Sequence, residues 1–185
     1  MRGTRQSSQD LDDALKAALR LLRRRRIPYM VIGGLALSVW GRVRVTQDVD
    51  IAVALEEEAE ADLVRALRRA HFLPAAPRAM VGHKLLVCRY LKTAKGLPVE
   101  VDLFFVHGAY QRQAIRRAVT VRFGGQSLRI ISPEDLILYK LLADRPMDRL
   151  DIQTILEEQR GRLDRRYLRR WAKPLGITTK KLVLI

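Results

Sequence analysis

Apolar residues recur at helical spacing after Asp10. Leu11, Leu15, Ala18, Leu19 and Leu22 share one stripe, which predicts an amphipathic helix. Arg23, Arg24, Arg25 and Arg26 sit where the helix dipole favours cations, and Pro28 stops the pattern. Residues 29–32 read as a short buried strand, broken by Gly33 and Gly34 before a helix over 35–40. Residues 48–53 alternate polar and apolar and predict a strand. Residues 56–71 predict a helix with acids in its first turns, bases in its last, and Leu63, Val64 and Leu67 on its apolar face. Two further strands are predicted over 84–91 and 99–106, separated by a turn at 93–96, and then a short helix over 109–117. Residues 119–123 and 127–131 flank Gly124 and Gly125 as a hairpin. Ser132-Pro133-Glu134-Asp135 is a helix start, with Ser as cap and Pro in the first turn. The pattern extends that helix to residue 143 and predicts two more, over 147–158 and 164–172. Strands with interleaved helices followed by a helical tail predict an α/β (α+β) class: a mixed β-sheet flanked by helices. Residues 1–131 form the expected core and 132–185 a helical C-terminal segment packed on it.

Composition narrows the class. A chain of 185 residues with 48% hydrophobic and 30% charged residues suits one globular domain and excludes global disorder. The single Cys88 excludes a disulfide framework and an all-cysteine zinc site. The longest apolar stretch, residues 28–40, is too short and too rich in glycine to span a bilayer. The N-terminal residues lack the apolar run of a secretory leader. The expectation is a cytoplasmic protein with no membrane partner. The net charge of +15, from 35 Lys and Arg against 20 Asp and Glu, points to an anionic partner: nucleic acid, nucleotide phosphates or an acidic surface. The same excess also fits a composition bias toward Arg.

Three pieces of sequence carry candidate chemistry. Gly33-Gly34 between a buried strand and a helix is either a plain turn or a place where backbone approaches a phosphate closely. Asp48-Val49-Asp50 puts two carboxylates on one face of a strand, roughly 6.6 Å apart. Such a pair is either a solvated strand face or a divalent-metal site, and Val49, Ile51 and Val53 commit the opposite face to a core. Glu100-Val101-Asp102 repeats the alternation. If its strand lies beside the first, a third carboxylate joins the cluster, and three carboxylates in close array repel one another without cations. Asp48, Asp50 and Asp102 would then hold two Mg2+ ions for in-line displacement at phosphorus, with Asp102 placed to take the proton of the attacking hydroxyl. Glu100, on the same face, is its rival.

Together, Gly33-Gly34-Leu35-Ala36, Arg44-Val45-Thr46-Gln47-Asp48-Val49-Asp50-Ile51 and Val101-Asp102-Leu103 resemble the DNA polymerase β-like nucleotidyltransferase superfamily. The stretch from Ser132 to Leu141, with Asp144-Arg145-Pro146-Met147-Asp148-Arg149-Leu150-Asp151-Ile152, is similar to the AbiEii-like branch, which includes toxins of toxin–antitoxin systems. The resemblance covers about residues 28–158. It implies a nucleotidyltransferase-type sheet, Gly33 and Gly34 at the nucleotide phosphates, and Asp48, Asp50 and Asp102 as magnesium ligands and catalytic residues. It implies Lys140 directed at the triphosphate, although a lysine snorkelling from a helix gives the same sequence. Arg44 and Thr46 precede the strand and are candidate nucleotide contacts. Arg145 and Asp148 fit either a functional position or a turn-and-cap pair, and Asp151 a recurrent position of open role. The superfamily commonly has Gly-Ser where this chain has Gly33-Gly34, so a phosphate hydrogen bond must come from elsewhere, for example Ser38 or backbone N–H groups.

The implied reaction moves a nucleoside monophosphate from an NTP to a hydroxyl. Basic residues flank the expected core, 8 against 3 acids in residues 1–26 and 10 against 4 in residues 149–185, which favours an RNA acceptor, above all tRNA. The alternatives are a partner protein (a cognate toxin or antitoxin), a small molecule such as an aminoglycoside, and a catalytically silent RNA-binding module. Residues 164–171 mix Arg with Tyr167 and Trp171, which fits an RNA-binding face or a solvated amphipathic helix equally. His71, His83 and His107 lack metal-ligand spacing, Cys88 reads as a buried apolar residue, and Trp40 and Trp171 as packing residues. The apolar residues 182–185 are expected to dock on the core or a partner.

Overall fold

The computed structural model describes residues 2–81, 85–93, 96–123 and 125–178, with no side-chain description at 2–7, 81 and 85. It contains helices α1 (Arg2–Arg24), α2 (Gly33–Trp40), α3 (Glu57–Arg69), α4 (Ala109–Arg117), α5 (Pro133–Ala143), α6 (Pro146–Glu158) and α7 (Arg165–Ala172). Its strands are β1 (Tyr29–Val31), β2 (Asp48–Ala54), β3 (Phe72–Pro74), β4 (Ala79–Val81), β5 (Leu85–Lys92), β6 (Val99–Val106), β7 (Val119–Phe123) and β8 (Gln126–Ile130). The strands form one mixed sheet in the order β3-β5-β6-β2-β1-β8-β7, with β4 on β5. The β2–β6 and β1–β8 pairings are parallel and the others antiparallel. This is the mixed sheet flanked by helices that the alternation of elements predicts.

The central strands form because one face of each is wholly apolar. Val49, Ile51 and Val53 on β2, with Val101, Leu103 and Phe105 on β6, are sealed from solvent, and registered pairing of Val49 with Val101 and Ile51 with Leu103 stacks them into one layer. The stripe of α1 (Leu15, Ala18, Leu19, Leu22) is likewise buried, and α1 lies against β2 and β6. The core is continuous from α1 through the sheet to α7. The C-terminal helices reach it through α2, which contacts α5 and α6. Trp40 donates its indole N–H to the Ile131 carbonyl at 2.7 Å, and the Gln159 amide donates to the Trp40 carbonyl at 3.1 Å. Ser132 caps α5 as predicted, accepting from the Asp135 N–H.

Some boundaries differ from the pattern. The first helix starts at Arg2, nine residues before the stripe begins at Leu11, because the preceding polar segment extends a helix already nucleated by the buried stripe. Strands β3 and β4 have no counterpart among the predicted elements: each has only three residues, too few for a period of two. Both lie on the β5 side of the sheet, where Pro74 is tolerated. Strand β5 begins at Leu85 and ends at Lys92. Lys84 and His83 lie outside the described residues, as do Ala94 and Lys95 of the 93–96 turn, Gly124 of the hairpin turn and residues 182–185.

Candidate functional site

Strands β2 and β6 run parallel with Asp48 opposite Glu100 and Asp50 opposite Asp102. Register partners point to the same side of a sheet, so four carboxylates share the face opposite the apolar layer. They differ in depth: of the two rivals on β6, Asp102 is buried and Glu100 exposed. Strand β1, on the other side of β2, delivers the chain to Gly33 beside Asp50, and the Ile32 N–H donates to the Asp50 carbonyl at 2.9 Å.

The two glycines are required here by space. Gly33 has φ +65°, and a Cβ on it would collide with Asp50 Oδ2; a Cβ on Gly34 would come within 2.6 Å of Thr46 Oγ1. The backbone at the start of α2 therefore lies directly against the Asp50 and Thr46 side chains. The Thr46 hydroxyl donates to Asp48 Oδ1 at 2.6 Å and so orients that carboxylate. Thus Gly33, Gly34, Thr46, Asp48, Asp50 and Asp102 are brought together. Ser38 is used otherwise: its hydroxyl lies 3.1 Å from the Gly34 carbonyl and 3.2 Å from the Arg44 carbonyl, pinning the loop between α2 and β2.

The electrostatics are those of crowded acids. Burial, then the charges of Asp48 and Asp102, push the Asp50 carboxyl up to about 7, with Arg145 and Arg89 pulling the other way. A carboxyl so displaced is a place where a divalent cation replaces a proton. The residues thus fit the metal that the resemblance implies. Their present arrangement does not close on one: among the described residues no three His, Cys, Asp or Glu side chains converge on a single ion position. Asp102 is held instead by Arg89 of β5, its register partner on the other side. Nε donates to Oδ1 at 2.9 Å and Nη2 to Oδ2 at 2.7 Å, while Nη1 lies 3.0 Å from Glu100 Oε2. Hydrogen bonding to Asp102 raises the Arg89 guanidinium still further above its ordinary value, against the effect of burial.

Lys140 is not free at the cleft. It is buried, and its Nζ donates to Asp151 Oδ2 at 2.7 Å and to Asp148 Oδ1 at 3.2 Å. Arg42 and Arg44 also reach Asp151, at 3.4 and 3.8 Å. Arg145 forms the capping box of α6, its backbone N–H and Nε donating to Asp148 Oδ2 at 2.9 and 3.0 Å. Burial opposes ionisation of Asp148, but these hydrogen bonds and the Lys140 charge outweigh it and hold the carboxyl below its ordinary value. Four cations surrounding two buried acids leave the group positive, and the exposed Arg145 carries that charge toward Asp50. The turn-and-cap reading of Arg145 and Asp148 therefore describes a real contact and does not exclude a role at the cleft.

Sequence reasoning missed Arg89 and Arg42. Arg89 was accessible in principle: if the strands either side of 93–98 form a simple antiparallel hairpin, residue numbers of opposed pairs share one sum, and Arg89 falls opposite Asp102. Of the remaining singled-out residues, Cys88 and Trp171 pack, while His71 and His107 are exposed. Cys88 is buried, Trp171 stacks at 5.0 Å from Tyr110, and His107 lies 3.3 Å from Glu60.

A protein-family model described as a nucleotidyl transferase of unknown function (DUF2204) matches residues 11–184. Among solved structures the chain is similar to an antigenic nucleotidyltransferase-like protein from Paracoccidioides brasiliensis, with TM-score 0.58 and 18% identity over 96% of this chain and 94% of that one. It is similar to ANT(2'')-Ia in complex with adenylyl-2''-tobramycin, with TM-score 0.57 and 16% identity over 89% and 95% of the two chains. The lincosamide antibiotic adenylyltransferase LnuA, bound to lincomycin, has TM-score 0.53 and 15% identity over 76% and 93%. No curated protein matches significantly. These likenesses establish the fold, which is that of nucleotidyltransferase-like proteins. No helix among the described residues is long and apolar enough to cross a membrane.

Proposed function

The chain belongs to the DUF2204 family of nucleotidyl transferases and is a nucleotidyltransferase, and from that premise we propose that it moves a nucleoside monophosphate from an NTP to a hydroxyl of RNA, with tRNA the favoured acceptor. The observation that carries this reading is the registered placement of Asp50 and Asp102 on adjacent parallel strands, against the backbone of Gly33 and Gly34. Asp48 and Asp50, with Asp102, are the residues that would hold Mg2+. When bound, the metal would neutralise phosphate charge and lower the pKa of the attacking hydroxyl. Gly33 and Gly34 let the start of α2 lie against Asp50 and Thr46, so that its backbone N–H groups would meet phosphate oxygens beside the metal-binding carboxylates. Thr46 fixes Asp48. The acceptor oxygen attacks the α-phosphorus, the bond to the bridging oxygen breaks, pyrophosphate leaves, and Asp102 takes the hydroxyl proton. Lys140 acts in this scheme by setting the charge of the Asp148–Asp151 group beside the cleft, and Arg44 and Arg145 meet phosphate directly.

The rim supports an anionic acceptor. Arg89 on Asp102 and Arg145 near Asp50 flank the carboxylates, and Arg42 and Arg44 on Asp151 add two more partly exposed guanidinium groups to the Asp148–Asp151 group that Arg145 shares; such charge would repel a cationic drug and attract a phosphate backbone. The 140–151 stretch favours the AbiEii-like branch, and with it a cytoplasmic toxin with a cognate antitoxin. The test is incubation with each labelled NTP, Mg2+ and total tRNA, with an aminoglycoside and a lincosamide as parallel acceptors. Label transferred to tRNA by the wild type and not by Asp48→Ala is the expected result. Transfer to a drug alone overturns the RNA acceptor, and no transfer from any NTP overturns the reaction.

A further inference from the structure

Asp102 stands between two partners that want the same oxygens. On one side its register partner is Asp50, with which it would share a cation; on the other it is Arg89. Arg89 now occupies both carboxylate oxygens, at 2.9 and 2.7 Å. A fork-to-fork pair of this kind uses the in-plane edge of the carboxylate, and the guanidinium charge opposes any cation approaching it. Asp102 is buried while Arg89 and Glu100 are each almost half exposed, so the guanidinium covers the acid from the solvent side. All three guanidinium nitrogens are engaged, and the third, Nη1, already holds Glu100 at 3.0 Å.

Resting on the reading of Asp48, Asp50 and Asp102 as metal ligands, we propose that Arg89 is a latch on the third carboxylate, released onto Glu100 when the metal–nucleotide complex enters. Glu100 is the parking place. It lies two residues before Asp102 on the same strand and face and already holds Nη1, so a small rotation of an exposed side chain would move Nε and Nη2 from Asp102 onto the Glu100 carboxylate. While the latch is closed, Asp102 neither binds metal nor accepts the proton of an acceptor hydroxyl. The enzyme without nucleotide is thereby kept from assembling the full three-carboxylate site. Arg89 is a positioning residue, since it acts only through Asp102.

The test is a cycle of Mn2+ binding, read by the loss of free-Mn2+ electron paramagnetic resonance signal in the absence of nucleotide. Arg89→Gln is expected to bind Mn2+ about tenfold more tightly than wild type, because one opposing charge has left the third ligand. Glu100→Gln, which removes the parking place, is expected to bind about threefold more weakly. In the Arg89→Gln background, Glu100→Gln is expected to change nothing, because Glu100 acts through Arg89. Arg89→Lys, which keeps the charge without the fork, should fall between wild type and Arg89→Gln. Equal weakening by Glu100→Gln in both backgrounds would mean that Glu100 acts only as a nearby negative charge and would overturn the latch. So would an Arg89→Gln protein, folded by circular dichroism, that binds Mn2+ no more tightly than wild type. Mn2+ binding that is absent from every variant, or untouched by Asp48→Ala, overturns the metal-site reading itself and the latch with it.

Discussion

Asp50→Asn should make the protein more stable while destroying its activity, and the stabilisation should depend on pH in one direction. The folded-state carboxyl titrates near about 7 against an ordinary value of 3.8, because of burial and then the charges of Asp48 and Asp102. Below about pH 4 the acid is protonated in folded and unfolded chains alike, and it contributes no difference. Between about pH 4 and 7 the unfolded chain ionises Asp50 while the folded chain keeps it neutral, so each pH unit favours unfolding by about 1.4 kcal/mol. The full displacement from 3.8 to about 7 amounts to about 4 kcal/mol. Solvent screening at this half-buried side chain reduces the figure to about 2 kcal/mol. The Asn variant escapes this loss. Urea denaturation without metal should therefore show wild type and variant equal near about pH 4 and the variant ahead by about 2 kcal/mol near about pH 8. Millimolar Mg2+ should narrow the gap by stabilising only the wild type. A gap of the same size at both pH values would mean that packing, not ionisation, separates the proteins. A wild type more stable than the variant near pH 8 would refute the crowding of charge at this site.

Three further outcomes follow from the same geometry. Gly33→Ala should lose nucleotidyl transfer by more than about a hundredfold and cost about 1–3 kcal/mol in thermal unfolding, since it adds a Cβ at φ +65° into Asp50; Gly34→Ala, which crowds the Thr46 side chain less closely and without a left-handed backbone, should be the milder of the two by both assays. Lys140→Met leaves Asp148 and Asp151 buried with only arginine partners and should destabilise by about 3 kcal/mol, with a raised KM for NTP measured on the folded fraction. Replacing Arg165, Arg166, Arg169 and Arg170 together by Gln should reduce the salt dependence of tRNA binding, lowering the slope of log K against log salt by up to about 3; an unchanged slope assigns that face to solvation alone.

The carboxylate layout was legible because it needs only the strand period. Alternation in 48–53 and 99–106 commits Val49, Ile51, Val101 and Leu103 to the core, and the acids are then forced onto the opposite face. The different depths of Glu100 and Asp102 were not legible, because they depend on parallel register: two residues along β6 separate the exposed partner of Asp48 from the buried partner of Asp50. The sequence suggests that Lys140 faces a triphosphate. Its burial between Asp148 and Asp151 arises from the way α5 and α6 fold back on each other around the left-handed Asp144 (φ 48°), a geometry that local propensity does not encode. Arg89 differs: alone on β5 it reads as an exposed cation, but pairing the strands as a hairpin places it opposite Asp102. The aromatic residues of α7 were ambiguous between stacking platforms and packing. Tyr167 settles on packing, since its hydroxyl donates to the buried Asp135 at 2.7 Å.

The net charge of +15 is therefore not a uniform coat. One part is paired with buried acids: Lys140 inside the fold and the partly exposed Arg42 and Arg44 converge on Asp151, and Arg117 lies within ion-pair distance of Glu134 and Asp135. A second part rings the acidic face, where Arg89 and Arg145 oppose the charges of Asp102 and Asp50. A third, on α7, is exposed, because Tyr167 and Leu168 turn inward and leave Arg165, Arg166, Arg169 and Arg170 to solvent. Acids on the floor and guanidinium groups on the rim make a cleft that repels a bare anion at its base and welcomes it at its edge. A nucleotide enters such a cleft productively when a divalent cation comes with it, since the cation satisfies the floor while the phosphates satisfy the rim. In the proposed reaction the third part would be left to hold the RNA acceptor without competing for the same ground. Surplus charge outside the cleft and compensated charge within it are what a polyanionic acceptor and an anionic donor require of one protein.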